Sequence, residues 1–94
     1  MLTRVVRMEF QEEKIEEFQS FFQTRKSRIA DFQGCIDVKL MKDASEKNVF
    51  YTLSEWRSEK DLEAYRNSDF FRETWKETKR LFSGKPLAYS LIAI

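Results

Sequence analysis

Apolar and polar residues alternate along the first segment of the chain. One face carries Leu2, Val6, Met8 and Phe10, and the other carries Thr3, Val5, Arg7 and Glu9. This period of two predicts a half-buried strand. Arg4 is the one polar side chain on its apolar face.

The next segment changes to helical spacing. Its apolar row consists of Ile15, Phe18, Phe22, Ile29 and Phe32, and acidic side chains occupy the opposite face. This pattern predicts an amphipathic helix, which we expect Gly34 to end as a left-handed cap. The acidic face predicts contact with solvent rather than a metal site, because no histidine accompanies it.

Two further strands follow as a predicted hairpin. The segment from Cys35 to Lys42 alternates, and Val49 to Trp56 is rich in β-branched and aromatic residues. The polar, turn-prone segment between them is typical of an antiparallel hairpin.

The last third of the chain predicts helical structure and a final strand. Ser58 followed by Asp61 resembles a capping box that opens a second helix. Asn67-Ser68-Asp69 predicts a break and a new N-cap, and the segment from Leu87 to Ile94 predicts the last strand.

The resulting order is β-α-β-β-α-β, which predicts an α+β, ferredoxin-like fold over residues 1–94 as a single domain. In this arrangement both helices lie on one side of a four-stranded antiparallel sheet. The last strand is nevertheless apolar on both faces, with Leu87, Tyr89 and Leu91 opposite Ala88, Ile92 and Ile94. Because such a strand needs cover on both sides, we predict a C2 homodimer through the sheet face and the C-terminal strand.

The composition excludes several kinds of site. The 94 residues contain 17 Lys and Arg against 16 Asp and Glu, so we expect no nucleic-acid partner and no membrane partner. The absence of histidine excludes Ser-His-Asp triads and His-liganded zinc or haem. The single cysteine, Cys35, excludes an internal disulfide and a Cys-rich metal site. With no signal-peptide pattern at the start, we expect a cytoplasmic protein.

A few residues are candidates for a site. Trp56 and Trp75 suit the wall of a cavity between helices and sheet, although filling of the core is the alternative for both. Tyr65 could donate a hydrogen bond to a phenol or quinone oxygen, or it could lie at a rim. Arg4 and Arg7 fall on opposite faces of the first strand, and the sequence leaves open which of them faces a cavity.

Four short segments carry a resemblance to a known family through their order and spacing. They are Gly34-Cys35, Ser54-Glu55-Trp56-Arg57-Ser58, Asp61-Leu62-Glu63-Ala64-Tyr65 and Asn67-Ser68-Asp69-Phe70-Phe71. With them the chain resembles the antibiotic biosynthesis monooxygenase (ABM) family of dimeric α+β barrels. Members with the usual pattern have His where Tyr65 stands, so any imidazole chemistry at that position is lost.

The resemblance does not extend to the haem-degrading branch of that family. That branch uses an Asn on the first strand, a Trp in the second helix and a haem-ligating His further on. The aligned positions of this chain hold Val6, Tyr65 and Trp75. We therefore expect no haem degradation of that kind.

The resemblance implies an oxidoreductase that works without metal or cofactor. A phenol, hydroquinone or anthrone would lose a proton, and its anion would react directly with O2 while the protein excludes water and stabilises the anion. On this expectation Tyr65 and an inward-facing Arg7 stabilise the anion. The substrate-binding walls are then Trp56, Trp75 and Phe71. The competing hypothesis is a non-catalytic dimeric module that binds a small ligand.

Overall fold

The computed structural model describes residues Met1 to Ile94. The elements are β1 (Leu2–Glu9), a 3-10 turn (Glu12–Lys14), α1 (Ile15–Ala30), β2 (Cys35–Lys42), β3 (Val49–Trp56), α2 (Glu59–Arg66), α3 (Asp69–Lys79) and β4 (Leu87–Ile92). The predicted order of strands and helices is confirmed, as is the α+β, ferredoxin-like fold. None of the helices combines the length and the apolar character needed to cross a membrane.

The strands form one antiparallel sheet in the order β2-β3-β1-β4. In the central strand β1, Val5 lies between Leu53 of β3 and Tyr89 of β4. Successive side chains of a strand point to opposite faces of the sheet. The face that includes Met8 packs against the helices, and the face that includes Val5 carries no helix.

An aromatic cluster fills one end of the layer between helices and sheet. The rings of Phe10 and Phe18 stack with centroids 4.0 Å apart, and the ring of Phe50 lies edge-on to both at 5.9 and 5.7 Å. These rings join α1 and β3 to the residue that follows β1, and the cavity described below extends toward α2 and α3.

Hydroxyl side chains set the start of both later helices, as predicted. The Ser58 Oγ accepts a hydrogen bond from the Asp61 N–H at 3.1 Å, and the Ser68 Oγ accepts one from the Phe71 N–H at 3.1 Å. Each cap satisfies a backbone donor that would otherwise lack a partner in the first helical turn. The second cap therefore marks where α3 begins as a helix separate from α2.

The end of α1 differs from the prediction. The helix ends at Ala30, because the Phe32 N–H donates to the Ile29 carbonyl and the Cys35 N–H to the Phe32 carbonyl, in tight turns of three residues. Gly34 has the predicted left-handed conformation (φ +85°), but it lies in the turn into β2 and not at the helix cap. The predicted cap position was thus wrong, although the conformation of the glycine was correct.

The strand β4 is the least buried element of the chain. All six of its residues are exposed, and Tyr89 on the helix-free face keeps 52% of its surface accessible. An edge strand that is apolar on both faces and open on both faces is suited to contact with another surface.

Candidate functional site

A cavity of about 360 Å³ lies between the helices and the covered face of the sheet. Side chains from all the strands and helices line it, and most of them are apolar. The lining residues that bear on its chemistry are Arg4, Met8, Ser54, Tyr65, Arg66, Phe71, Thr74, Trp75 and Thr78. A concave, mainly apolar space with a few polar groups is the usual form of a small-molecule site.

Tyr65 lines this cavity, and its hydroxyl group has no protein partner. Its ring is 8% exposed and packs against the rings of Trp56, Phe32 and Phe71 at 5.1, 4.9 and 5.0 Å. No protein group hydrogen-bonds the hydroxyl, yet every fully buried side-chain polar atom in the chain has a partner. The hydroxyl therefore keeps some accessible surface and is free to bond a ligand in the cavity that Tyr65 lines. Burial raises the pKa of Tyr65, so the group stays a neutral donor near neutral pH.

Trp56 does not line the cavity, contrary to the prediction. Its side chain is 0% exposed, and its indole N–H donates to the Ser54 Oγ at 2.9 Å. Residues 54 and 56 share one face of β3, and α2 lies over that face, so the indole is sealed behind Tyr65. Trp56 stacks on the ring of Tyr65 and does not itself line the cavity.

The prediction that Arg7 faces the cavity is also wrong. It pairs in register with Tyr51 and Leu87 on the helix-free face, where its guanidinium group lies 3.5 Å from Glu46 and 3.9 Å from Glu9. Strand alternation puts an odd-numbered residue of β1 on that face. Arg7 therefore cannot contact a ligand in the cavity, and we do not assign it a role there.

Arg4 is the arginine of β1 that lines the cavity. Its Nη1 donates to the neutral Ser90 Oγ at 3.0 Å, and none of the ion pairs of the chain includes it. The pKa of Arg4 is lowered by burial first and by the positive charge of Arg66 second, with Glu63 acting in the opposite sense. The sequence indicated the unusual position of Arg4, because it is the single polar residue on an apolar strand face.

Phe71 and Trp75 both line the cavity from α3. Their rings stack with centroids 6.0 Å apart, and the edge of Trp75 meets Phe82 at 5.6 Å. Tyr65, Phe71 and Trp75 are thus brought together, whereas Trp56 and Arg7 lie elsewhere. No pattern in the sequence pointed to Arg66, which ends α2 and reaches the cavity only because α2 crosses the sheet there.

The fold closely matches solved structures. A crystal structure of an antibiotic biosynthesis monooxygenase superposes with a TM-score of 0.92 at 14% identity and covers 100% of this chain and 99% of that chain. A conserved protein from Methanosarcina mazei Go1 has a TM-score of 0.89 at 22% identity, covering 97% of this chain and 91% of that chain. At these identities the likeness concerns the fold alone.

One curated relative raises the question of haem. A Natronomonas pharaonis protein named "Putative heme-binding protein" is 28% identical over 71 residues, which are 76% of this chain and 12% of that protein. Haem iron in proteins is held by His, Cys, Met or Tyr. The cavity lining has no His or Cys and offers only Met8 and Tyr65. Burial raises the pKa of Tyr65 and so disfavours the phenolate that would bind iron. Met serves as a haem ligand beside His, which this chain lacks, so the residues present do not fit a haem-ligating site.

No group of three or more His, Cys, Asp and Glu side chains that could hold a metal ion is present in the structure. The model of a single family, described as antibiotic biosynthesis monooxygenase, matches residues 1–77, which is most of the chain. The match includes β1, α2 and nearly all of α3, the elements that contribute Arg4, Tyr65, Phe71 and Trp75 to the cavity. The chain belongs to the antibiotic biosynthesis monooxygenase family.

Proposed function

We propose that this chain is a cofactor-independent monooxygenase that acts with O2 on a small aromatic substrate of the phenol, hydroquinone or anthrone class. One observation carries the proposal. The free hydroxyl group of Tyr65 and the unpaired guanidinium group of Arg4 both line an apolar cavity with aromatic walls. A hydrogen-bond donor and a positive charge on the wall of a largely apolar cavity both stabilise an aromatic anion.

The substrate ring lies against Phe71 and Trp75, and its oxygen accepts a hydrogen bond from Tyr65. The charge of Arg4 favours loss of the substrate's proton, because a nearby cation favours the anionic form. With an anthrone, the anion transfers electrons to O2. One oxygen atom becomes the new carbonyl oxygen, and the other leaves as water with the two hydrogens lost from the reacting carbon.

The proposal includes a homodimer. The helix-free face of the sheet carries Val5, Leu53 and Tyr89 in one row across three strands, and β4 is exposed along its length. A second copy of the same face would cover this apolar row through an isologous contact. The reducing cytoplasm suits a chain whose single cysteine, Cys35, is a free thiol.

One observation favours the alternative of a non-catalytic module that binds a small ligand. The cavity lining contains no carboxylate, and burial raises the pKa of Tyr65, so no lining side chain can act as a base near neutral pH. The enzymatic proposal accordingly requires a substrate whose own pKa is low.

Oxygen uptake by the metal-free protein tests the proposal. With a panel of hydroquinones and anthrones, we expect uptake above the buffer rate and a fall of about a hundredfold in Tyr65→Phe, which removes one donor to the anion. Tyr51→Phe is the matched control, because the Tyr51 hydroxyl bonds Asp43 at 3.3 Å, away from the cavity. Equal rates in both variants would contradict the role of Tyr65. Binding of the same compounds without uptake would establish the alternative.

A further inference from the structure

The charges around the cavity do not balance. Arg4 and Arg66 both line it, and Arg66 is exposed, so this part of the lining lies where the cavity opens to solvent. The Arg66 guanidinium pairs with the Glu63 carboxylate at 2.8 Å, whereas Arg4 bonds only the neutral Ser90 hydroxyl. Two cations against one carboxylate leave a single positive charge at the opening.

An unpaired, partly buried cation is costly to keep in an apolar site. The positive charge of Arg66 adds to this cost, since it lowers the pKa of Arg4 together with burial. A single negative charge placed between the two guanidinium groups would remove the imbalance. A carboxylate has the required charge near neutral pH, and its two oxygens match the paired donors of a guanidinium group.

We infer that the ligand of this cavity is an aromatic acid, whose rings lie against Phe71 and Trp75 and whose carboxylate lies between Arg4 and Arg66. This inference rests on the proposed function, because it names the substrate class of the same site. A neutral phenol would leave Arg4 unpaired until the phenol loses its proton, whereas an aromatic acid pairs with Arg4 from the moment it binds. A phosphate dianion would exceed the single positive charge available.

Two isosteric probes test the inference. 2-Naphthoate and 2-naphthamide share ring and shape, and they differ in charge. By isothermal titration calorimetry we expect the wild-type protein to bind 2-naphthoate about tenfold more tightly, the effect of one charge-assisted contact. In Arg4→Gln we expect this preference to fall to within about twofold, chiefly through weaker binding of 2-naphthoate. Arg66→Gln should lower the preference less, because Arg66 is already paired with Glu63.

Several controls make the result specific. Arg72→Gln removes an exposed arginine that pairs with Asp69 outside the cavity, and it should keep the full preference. Arg4→Lys keeps the charge and should keep part of it. Binding of 2-naphthamide by each variant shows that the variant is folded. Equal affinity of the wild-type protein for the two probes, or a preference unchanged in Arg4→Gln, would overturn the inference.

The outcome separates this inference from the proposed function. An Arg4-dependent preference for 2-naphthoate in a protein that takes up no oxygen supports the inference and refutes the monooxygenase. Oxygen uptake with neutral phenols, together with equal binding of the two probes, overturns the inference and leaves the monooxygenase standing.

Discussion

The two tryptophans show how residues of one type differ in function within this chain. Trp56 is fully buried, with its indole N–H bonded to Ser54, whereas Trp75 is half-buried and forms a wall of the cavity. The first ring holds Tyr65 in place from behind, and the second faces the ligand space. Trp56 therefore supports Tyr65, whereas Trp75 lines the cavity, although both side chains are tryptophans.

This difference leads to a prediction on stability. Trp56→Ala should lower the free energy of unfolding by about 3–5 kcal/mol, as expected for a large buried aromatic. Trp75→Ala should lower it by about 1–2 kcal/mol, because a half-buried ring loses less burial and already borders empty space. Urea denaturation followed by circular dichroism measures both. A larger loss for Trp75→Ala than for Trp56→Ala would refute the assignment of the two rings.

Among the elements, the contact between the turn into β2 and the start of α2 decides where Tyr65 stands. The Arg57 N–H donates to the Gly34 carbonyl at 2.8 Å, and the side chain of Asp61 packs directly over the glycine. This contact joins the start of β2 and the end of β3 to α2, the helix that carries Tyr65. It requires a residue without a Cβ atom at position 34.

Alanine substitutions of the two glycines test this contact. In Gly34→Ala the left-handed backbone costs about 1–2 kcal/mol, and the overlap of the new Cβ with the Asp61 side chain adds to it. Gly84→Ala is the matched control, since its Cβ would meet only the flexible end of the Glu9 side chain at 3.1 Å, and we expect a change within about 0.5 kcal/mol. Similar thermal unfolding of the two variants would show that the turn tolerates a side chain.

At the scale of the whole molecule, one sheet serves two surfaces. The covered face of the sheet forms the floor of the cavity, and the opposite face carries an exposed apolar row that includes Tyr89. Arg7 and its carboxylate partners lie on this second face. The alternation of side chains thus divides the ligand site from the predicted dimer contact within the thickness of a single sheet.

Tyr89→Asp tests the predicted dimer. Because Tyr89 is exposed in the isolated chain, the substitution should leave the fold intact, whereas a charge buried in the predicted two-fold contact should separate the subunits. Sedimentation velocity should show a dimer for the wild type and a monomer for the variant. Lys76→Glu, on the exposed side of α3, should remain a dimer. A monomeric wild-type protein at high concentration would contradict the contact.

Local patterns by themselves determined much of this protein. The alternation and helical spacing predicted the strands, the helices and their order, because one face of each element must be apolar to be buried. Ser58 and Ser68 predicted both later helix starts, because their hydroxyl groups satisfy local backbone donors. Phe71 and Trp75 are four residues apart, so helical spacing puts both on one face of α3.

Only the tertiary structure decided how deeply each side chain is buried and which side chains meet in the cavity. Trp56 is sealed because α2 crosses over the end of β3, and Arg66 reaches the cavity because that helix ends there. The spacing of apolar residues along the chain predicts neither the burial of Trp56 nor the position of Arg66, since both depend on how distant elements pack. Arg4 lies between these cases. Its strand face was readable from the sequence, and only packing brought Arg4 and Tyr65 into the lining of one cavity.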